Sequence, residues 1–99
     1  MNKYYQDKIL TQCHKMSDTD CWQWTGQISN SGYGRIMIKD DSGNTRTISA
    51  HEVSYMGFID NLSSGVLVKQ TCGNRLCVNP EHLELFVPVD AKAEYMARN

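Results

Sequence analysis

Residues 71–83 read TCGNRLCVNPEHL, and this stretch decides the fold. Cys72 and Cys77 are separated by four residues, and four more separate Cys77 from His82, across a loop containing Gly, Asn and Pro. Two soft thiolates and an imidazole at such short spacing suit a zinc knuckle, which wants four ligands in a tetrahedron. A fourth ligand must come from elsewhere in the chain, and the candidates are Cys13, His14, Cys21 and His51. Cys21 is the most attractive, because it begins a strand-like run that can lie beside the loop.

The need for such a staple follows from size. Ninety-nine residues make one small domain with a limited apolar core. Its four cysteines and three histidines can reinforce that core through disulfides or through a metal. The opening MNKYYQDKIL has no apolar signal segment, and no stretch is long and apolar enough to span a membrane, so a cytoplasmic setting with reduced thiols is expected. The formal net charge is −1 and the sequence pI about 6.2, which argues mildly against a protein that grips a phosphate backbone. Lys and Arg are scattered without a block of like charge.

Outward from the knuckle, the chain reads as an α+β domain. Tyr5, Ile9, Leu10 and Cys13 mark one face of an N-terminal helix over 3–15. Residues 17–20 form a polar turn, and CWQWTG (21–26) alternates like a half-buried strand. Runs 33–38 and 45–50 flank the turn-forming KDDSGN, which predicts a hairpin. HEVSYMGF (51–58) predicts a short helix that Gly57 helps to end. Residues 66–69 and 83–86 are short strands on either side of the knuckle, and Pro88 opens a final helix with Val89, Ala93 and Met96 on roughly one face. The subdivisions of this single domain, 1–99, are 1–20, 21–65 and 66–98.

Four blocks, CWQWTG, SGYGRI, AHEVSY and TCGNRLCVNPEHL, resemble in order and spacing the zinc-containing HNH, or His-Me finger, homing-type endonucleases. The resemblance covers roughly residues 3–98. It implies a structural zinc on Cys21, Cys72, Cys77 and His82, one per chain, leaving Cys13 as an ordinary packing thiol. It also implies a C-terminal ββα module built from 66–70, 83–86 and the last helix, the part of such enzymes that cuts DNA with one divalent cation. Many members are free-standing phage proteins.

Three positions depart from the family pattern. The general base, a His two residues before the first loop Cys, is here Gln70, whose amide has no basic lone pair at neutral pH. The Asn that holds the catalytic cation, nine residues after the last zinc ligand, is here Ala91, preceded by Asp90. The Arg that follows His in the family's AHR block is here Glu52, which repels phosphate. The expectation is therefore a catalytically inactive HNH-like zinc protein, phage-encoded, with no catalytic Mg. It is expected to act by binding a host protein or protein–nucleic acid complex, as an inhibitor of a host enzyme or a nucleic-acid-targeting defence system such as CRISPR. The rival readings are an active nicking endonuclease using His51, or a water held by Gln70 and Asp90, and a non-cleaving DNA-binding remnant.

Other residues have plainer roles. Asn79 is expected to turn the backbone before Pro80, His51 to pack at a strand-to-helix junction, His14 to sit on a solvated helix, and Trp22 and Trp24 to supply core area. Arg35, Lys39 and Arg46 are candidate nucleic-acid contacts on the hairpin, or simply a solvated sheet face.

Overall fold

The computed structural model describes residues 2–87; the final helix expected from Pro88, with Asp90 and Ala91, lies outside the described residues. Among the described residues the architecture is α+β, with two helices and antiparallel strand pairs. In chain order it comprises α1 (Lys3–Leu10), β1 (Cys13–Lys15), β2 (Trp22–Trp24), β3 (Arg35–Lys39), β4 (Thr45–Ser49), α2 (Ala50–Phe58), β5 (Leu67–Gln70), a 3-10 turn (Pro80–His82) and β6 (Leu83–Phe86). Among the described residues the strands form three two-stranded antiparallel sheets, β1–β2, β3–β4 and β5–β6, rather than one continuous small sheet.

Helix α1 is shorter than its periodicity predicts. Asn2 caps its start by accepting from the Tyr5 amide, but the helix stops at Leu10. Beyond it the Gln12 carbonyl accepts from both the amide and the hydroxyl of Thr25, and Cys13 pairs with Trp24, His14 with Gln23 and Lys15 with Trp22. Pairing with a distant strand thus overrides local helical periodicity. Cys13 is therefore a half-buried strand residue packed against the core, and His14 an exposed strand residue rather than a helical one.

The core gathers Ile9 of α1, Trp24 of β2, Ile36 and Ile38 of β3, Ala50 and Val53 of α2, and Val78 of the loop after β5. Alternation along RIMIK buries Ile36 and Ile38 and exposes Arg35, Met37 and Lys39. Trp24 is 2% exposed, and its indole N–H donates to the Gln27 carbonyl at 2.8 Å. Gly34 makes room for it, since a Cβ there would stand 2.5 Å from Trp24 Cδ1. Trp22 is only half-buried, edge-on to Phe58 with the Lys15 ammonium 4.4 Å from its ring centre. At the hairpin tip, Asp40 Oδ1 accepts from the amides of Ser42 and Asn44, the Asx-type bonding that makes this residue a turn former.

Gly57 does not end α2; it lies within the helix, where α1 crosses. A Cβ at this position would meet Tyr5 Cβ at 3.0 Å and the Gln6 backbone nitrogen at 3.1 Å. The Gly57 carbonyl also accepts from the Asn2 amide and from Gln6 Nε2, so the glycine is a point of helix–helix approach. Strand β5 pairs with β6 in the register Leu67 to Phe86 through Gln70 to Leu83, making the knuckle the connection of this hairpin.

Candidate metal centre

Strand β2 brings Cys21 to the knuckle. One edge of β2 pairs with β1; on the other, the Trp24 amide donates to the Leu76 carbonyl and the Val78 amide to the Trp22 carbonyl. A bridge between Gln23 and Cys77 lies between these bonds. The side chains repeat the connection, with Asn74 Nδ2 donating to Gln23 Oε1 at 2.8 Å. Asn79 is the hinge of the arrangement: its Oδ1 accepts from the Glu81 amide, opening the 3-10 turn that carries His82, and its Nδ2 donates to the carbonyl of Asp20. Thr71 closes the loop, donating to the His82 carbonyl through both its amide and its hydroxyl.

The result is that Cys21, Cys72, Cys77 and His82 place all four ligand atoms within 4.8 Å of one another. The Sγ atoms of Cys21 and Cys72 are 3.6 Å apart, and His82 Nδ1 is 3.7 Å from Cys21 Sγ and 3.4 Å from Cys77 Sγ. A tetrahedral zinc at its usual bond lengths requires edges of about 3.8 Å between sulfurs and about 3.5 Å from sulfur to nitrogen. The donor set and its spacing therefore fit such an ion, and Nδ1 is the nitrogen that would bind it. A sulfur separation of 3.6 Å is also far beyond a disulfide bond, and all four cysteines are free thiols.

The electrostatics point the same way. Burial drives the Cys77 thiol up to about 12. Burial also acts upward on Cys21, but hydrogen bonds from Cys77, His82, Cys72 and Thr19 outweigh it and bring that thiol down to about 7. Left to themselves, Cys21 and Cys77 favour a single thiolate between them, because a second negative charge in the same buried space is costly. A divalent cation removes that repulsion and deprotonates its thiol ligands. Cys13 lies apart from this cluster among the described residues, and burial raises its thiol, opposed by Lys15.

Beside the knuckle lies a cleft of about 400 Å³, walled by β5, the first turn of α2, the start of β3 and the 29–34 stretch. Gln70 faces this cleft, its Nε2 donating to the Arg75 carbonyl at 3.1 Å. His51 and Glu52 line the same space. His51 is 8% exposed, and burial pushes its imidazole below the usual range, its contact with the Val68 carbonyl working the other way. Sequence reasoning missed Arg75 and Tyr33. Arg75 donates to the Ser31 carbonyl at 2.8 Å and lies 5.3 Å from the Tyr33 ring, pinning the 29–33 stretch against the knuckle. The only signal was a long cation inside the ligand loop.

The three hairpin cations do not share a face. Arg35 and Lys39 lie on the exposed side of β3, whereas Arg46 is opposite Ile38 in the register and so points to the other side of the sheet. Arg35 alone of the three reaches the cleft.

The fold and the cluster together define a small α+β domain with a three-cysteine, one-histidine group at metal-binding spacing. Over 83 residues, 84% of its length, the chain is 34% identical to Protein 2.8 of Escherichia phage T7. Over 79 residues, 80% of its length, it is 29% identical to Protein 7.7 of the same phage. These alignments cover 53% and 57% of the two relatives, so the chain spans about half the length of the curated proteins it matches. No protein-family model matches the chain. No solved structure matches it.

Proposed function

We propose that this chain is a zinc-stapled, HNH-like domain of phage origin that does not cut DNA and acts by binding a macromolecular partner. The observation that carries the reading is Gln70. It stands on β5, two residues before Cys72, facing the cleft, where the resembling nucleases need a base. Its amide donates to Arg75 and has no lone pair able to take a proton from water at neutral pH. Ala91 and Glu52, known from the sequence, remove the cation's anchor and a phosphate contact in the same scheme.

The zinc would be held by Cys21, Cys72, Cys77 and His82 and would supply structure rather than chemistry. With four protein ligands, no coordination position remains for water. The ββ half of a ββα module is consistent with the β5–β6 hairpin around the knuckle.

The partner we favour is a host protein or a protein–nucleic acid complex, with the chain acting as an inhibitor of a host enzyme or a defence system such as CRISPR. Similarity to two proteins of a phage supports an origin in which such a role is useful, and the net charge of −1 supports a protein partner over bare DNA. Incubation of supercoiled plasmid with the zinc-loaded protein and magnesium or manganese tests the central step. The plasmid is expected to stay intact, and the Gln70→His, Ala91→Asn double variant to nick it. Nicking by the unaltered chain overturns the reading.

A further inference from the structure

Strand β4, TRTIS, pairs with β3 along one edge and leaves the other open. The phase of the pairing is set at both ends of the hairpin, where the Ala50 amide donates to the Gly34 carbonyl and the Asp40 amide to the Asn44 carbonyl. Bonded positions alternate in an antiparallel pair, so Arg46 and Ile48 bond across to Ile38 and Ile36, and the peptide groups of the residues between them turn outward. On β3 two of the outward amides are taken, that of Arg35 by the Gln27 carbonyl and that of Lys39 by the Tyr4 hydroxyl. On β4 the outward amides of Thr45, Thr47 and Ser49 and the outward carbonyls of Thr45 and Thr47 have no partner among the described residues. Thr45 and Thr47 are exposed, and the strand has neither a proline nor a bulge to blunt this edge.

A groove of about 450 Å³ lies beside this strand, between it and residues 62–66. Half-buried Ile48, Met56, Leu62 and Val66 give it apolar walls, and Arg46 and Glu52 supply its charges. Arg46 makes neither an ion pair nor a side-chain hydrogen bond among the described residues. Backbone donors and acceptors alternating at the strand repeat are matched by another strand and by little else. We propose that β4 accepts an extended segment of a protein partner as a third, antiparallel strand, with an apolar side chain opposite Ile48 and an Asp or Glu opposite Arg46. Antiparallel pairing puts the acidic residue two positions after the apolar one, and the residue between them exchanges both backbone bonds with Thr47. A second copy of this chain fits less well: pairing β4 with itself about Thr47 sets each Arg46 against an Ile48 and gives neither cation a carboxylate. Glu52 in the same groove opposes a run of acidic residues and a nucleic-acid backbone alike. The inference deepens the binding role proposed above, and rests on it, by giving the form of the partner's contact.

The probe is the capped pentapeptide Thr-Val-Thr-Glu-Thr, titrated into the zinc-loaded protein at low ionic strength and followed by amide shifts and hydrogen exchange in heteronuclear NMR. The amides of Thr45, Thr47 and Ser49 are expected to exchange freely in the free protein, to shift saturably with peptide, and to exchange more slowly once it is bound. Methylating the backbone nitrogen of the peptide's central threonine removes the donor that Thr47 needs and is expected to abolish binding. Lysine in place of the peptide's glutamate is expected to weaken binding to the unaltered chain. Arg46→Glu, at an exposed position, is expected to reverse that preference, shifting the ratio of the two affinities about tenfold as one cross-strand attraction becomes a repulsion. Edge amides that stay still up to about 10 mM peptide, weaker than any useful contact, overturn the proposal. So does equal binding of the methylated peptide, or a preference that Arg46→Glu leaves unchanged. Edge amides already protected in the free protein overturn it too, and sedimentation then tells whether a second copy or the chain's own residues 88–99 hold the edge. Plasmid nicking is scored separately: a chain that nicks yet binds the peptide loses the non-cutting reading and keeps this one, and a silent chain with an unmoved edge loses this one alone.

Discussion

At Cys77, where the side chain has no exposure to solvent, the burial that raises the thiol to about 12 is the same burial that makes a bound cation worth most. Zinc held by such ligands contributes about 10–16 kcal/mol to small domains. That is comparable to the whole stability of a typical domain, about 5–15 kcal/mol. Cys77→Ser is therefore expected to lose the metal and the cooperative thermal transition together, whereas Cys13→Ser, outside the cluster, should keep its zinc and shift Tm only slightly. Metal analysis and calorimetry on the two variants check the contrast.

His51 makes a second prediction at the same scale. Its folded pKa is depressed by burial, so between that value and the unfolded value near 6.5 the unfolded chain binds more protons. Stability should then fall as pH drops below about 6.5, because protonation draws the chain toward the unfolded state. Denaturant midpoints measured across this range should show that decline, and His51→Gln should flatten it. A slope unchanged in the variant would assign it to other groups.

Among the elements, the β3–β4 and β5–β6 hairpins, the knuckle and the existence of α1 were legible in the sequence, and the end of α1 was not, for a physical reason. The Asx turn at Asp40, the alternation of RIMIK and the short strands bracketing the loop are signals that local chemistry enforces. The stretch 13–15 continues the helical spacing, but it pairs with β2, seven to eleven residues further along the chain, a partner that no local pattern reveals. Gly57 misled in the same way, since what it accommodates is α1 rather than a helix terminus. Gly34 yields a prediction at this scale. A methyl group there meets Trp24 Cδ1 at 2.5 Å, so Gly34→Ala must displace a ring at the centre of the core. Overpacking of this kind costs about 1–3 kcal/mol. With about 4–8 °C of Tm per kcal/mol in a domain of this size, a drop of several degrees is expected by calorimetry.

Across the whole molecule, the three-cysteine, one-histidine cluster was legible because candidate metal ligands carry residue types and spacings that can be read without knowledge of the fold. Cys72, Cys77 and His82 could be read from their loop alone; the choice of Cys21 needed the resemblance, and the geometry that joins it to them is the pairing of β2 with residues 76–78. The cleft was not legible. Its walls come from four separated segments, and Arg75 and Tyr33 acquire meaning only when those segments meet. The scattered cations of the hairpin illustrate the converse, since proximity in sequence did not put Arg46 on the face of Arg35 and Lys39.

The account stands on four side chains placed to hold one ion, and the most direct measurement is native mass spectrometry of the purified chain combined with X-ray absorption at the zinc edge. One zinc per chain, with three sulfurs at about 2.3 Å and one nitrogen at about 2.0–2.1 Å, is the predicted result. A chain that folds cooperatively without metal, or one whose metal has lost a sulfur ligand to oxygen, would contradict it.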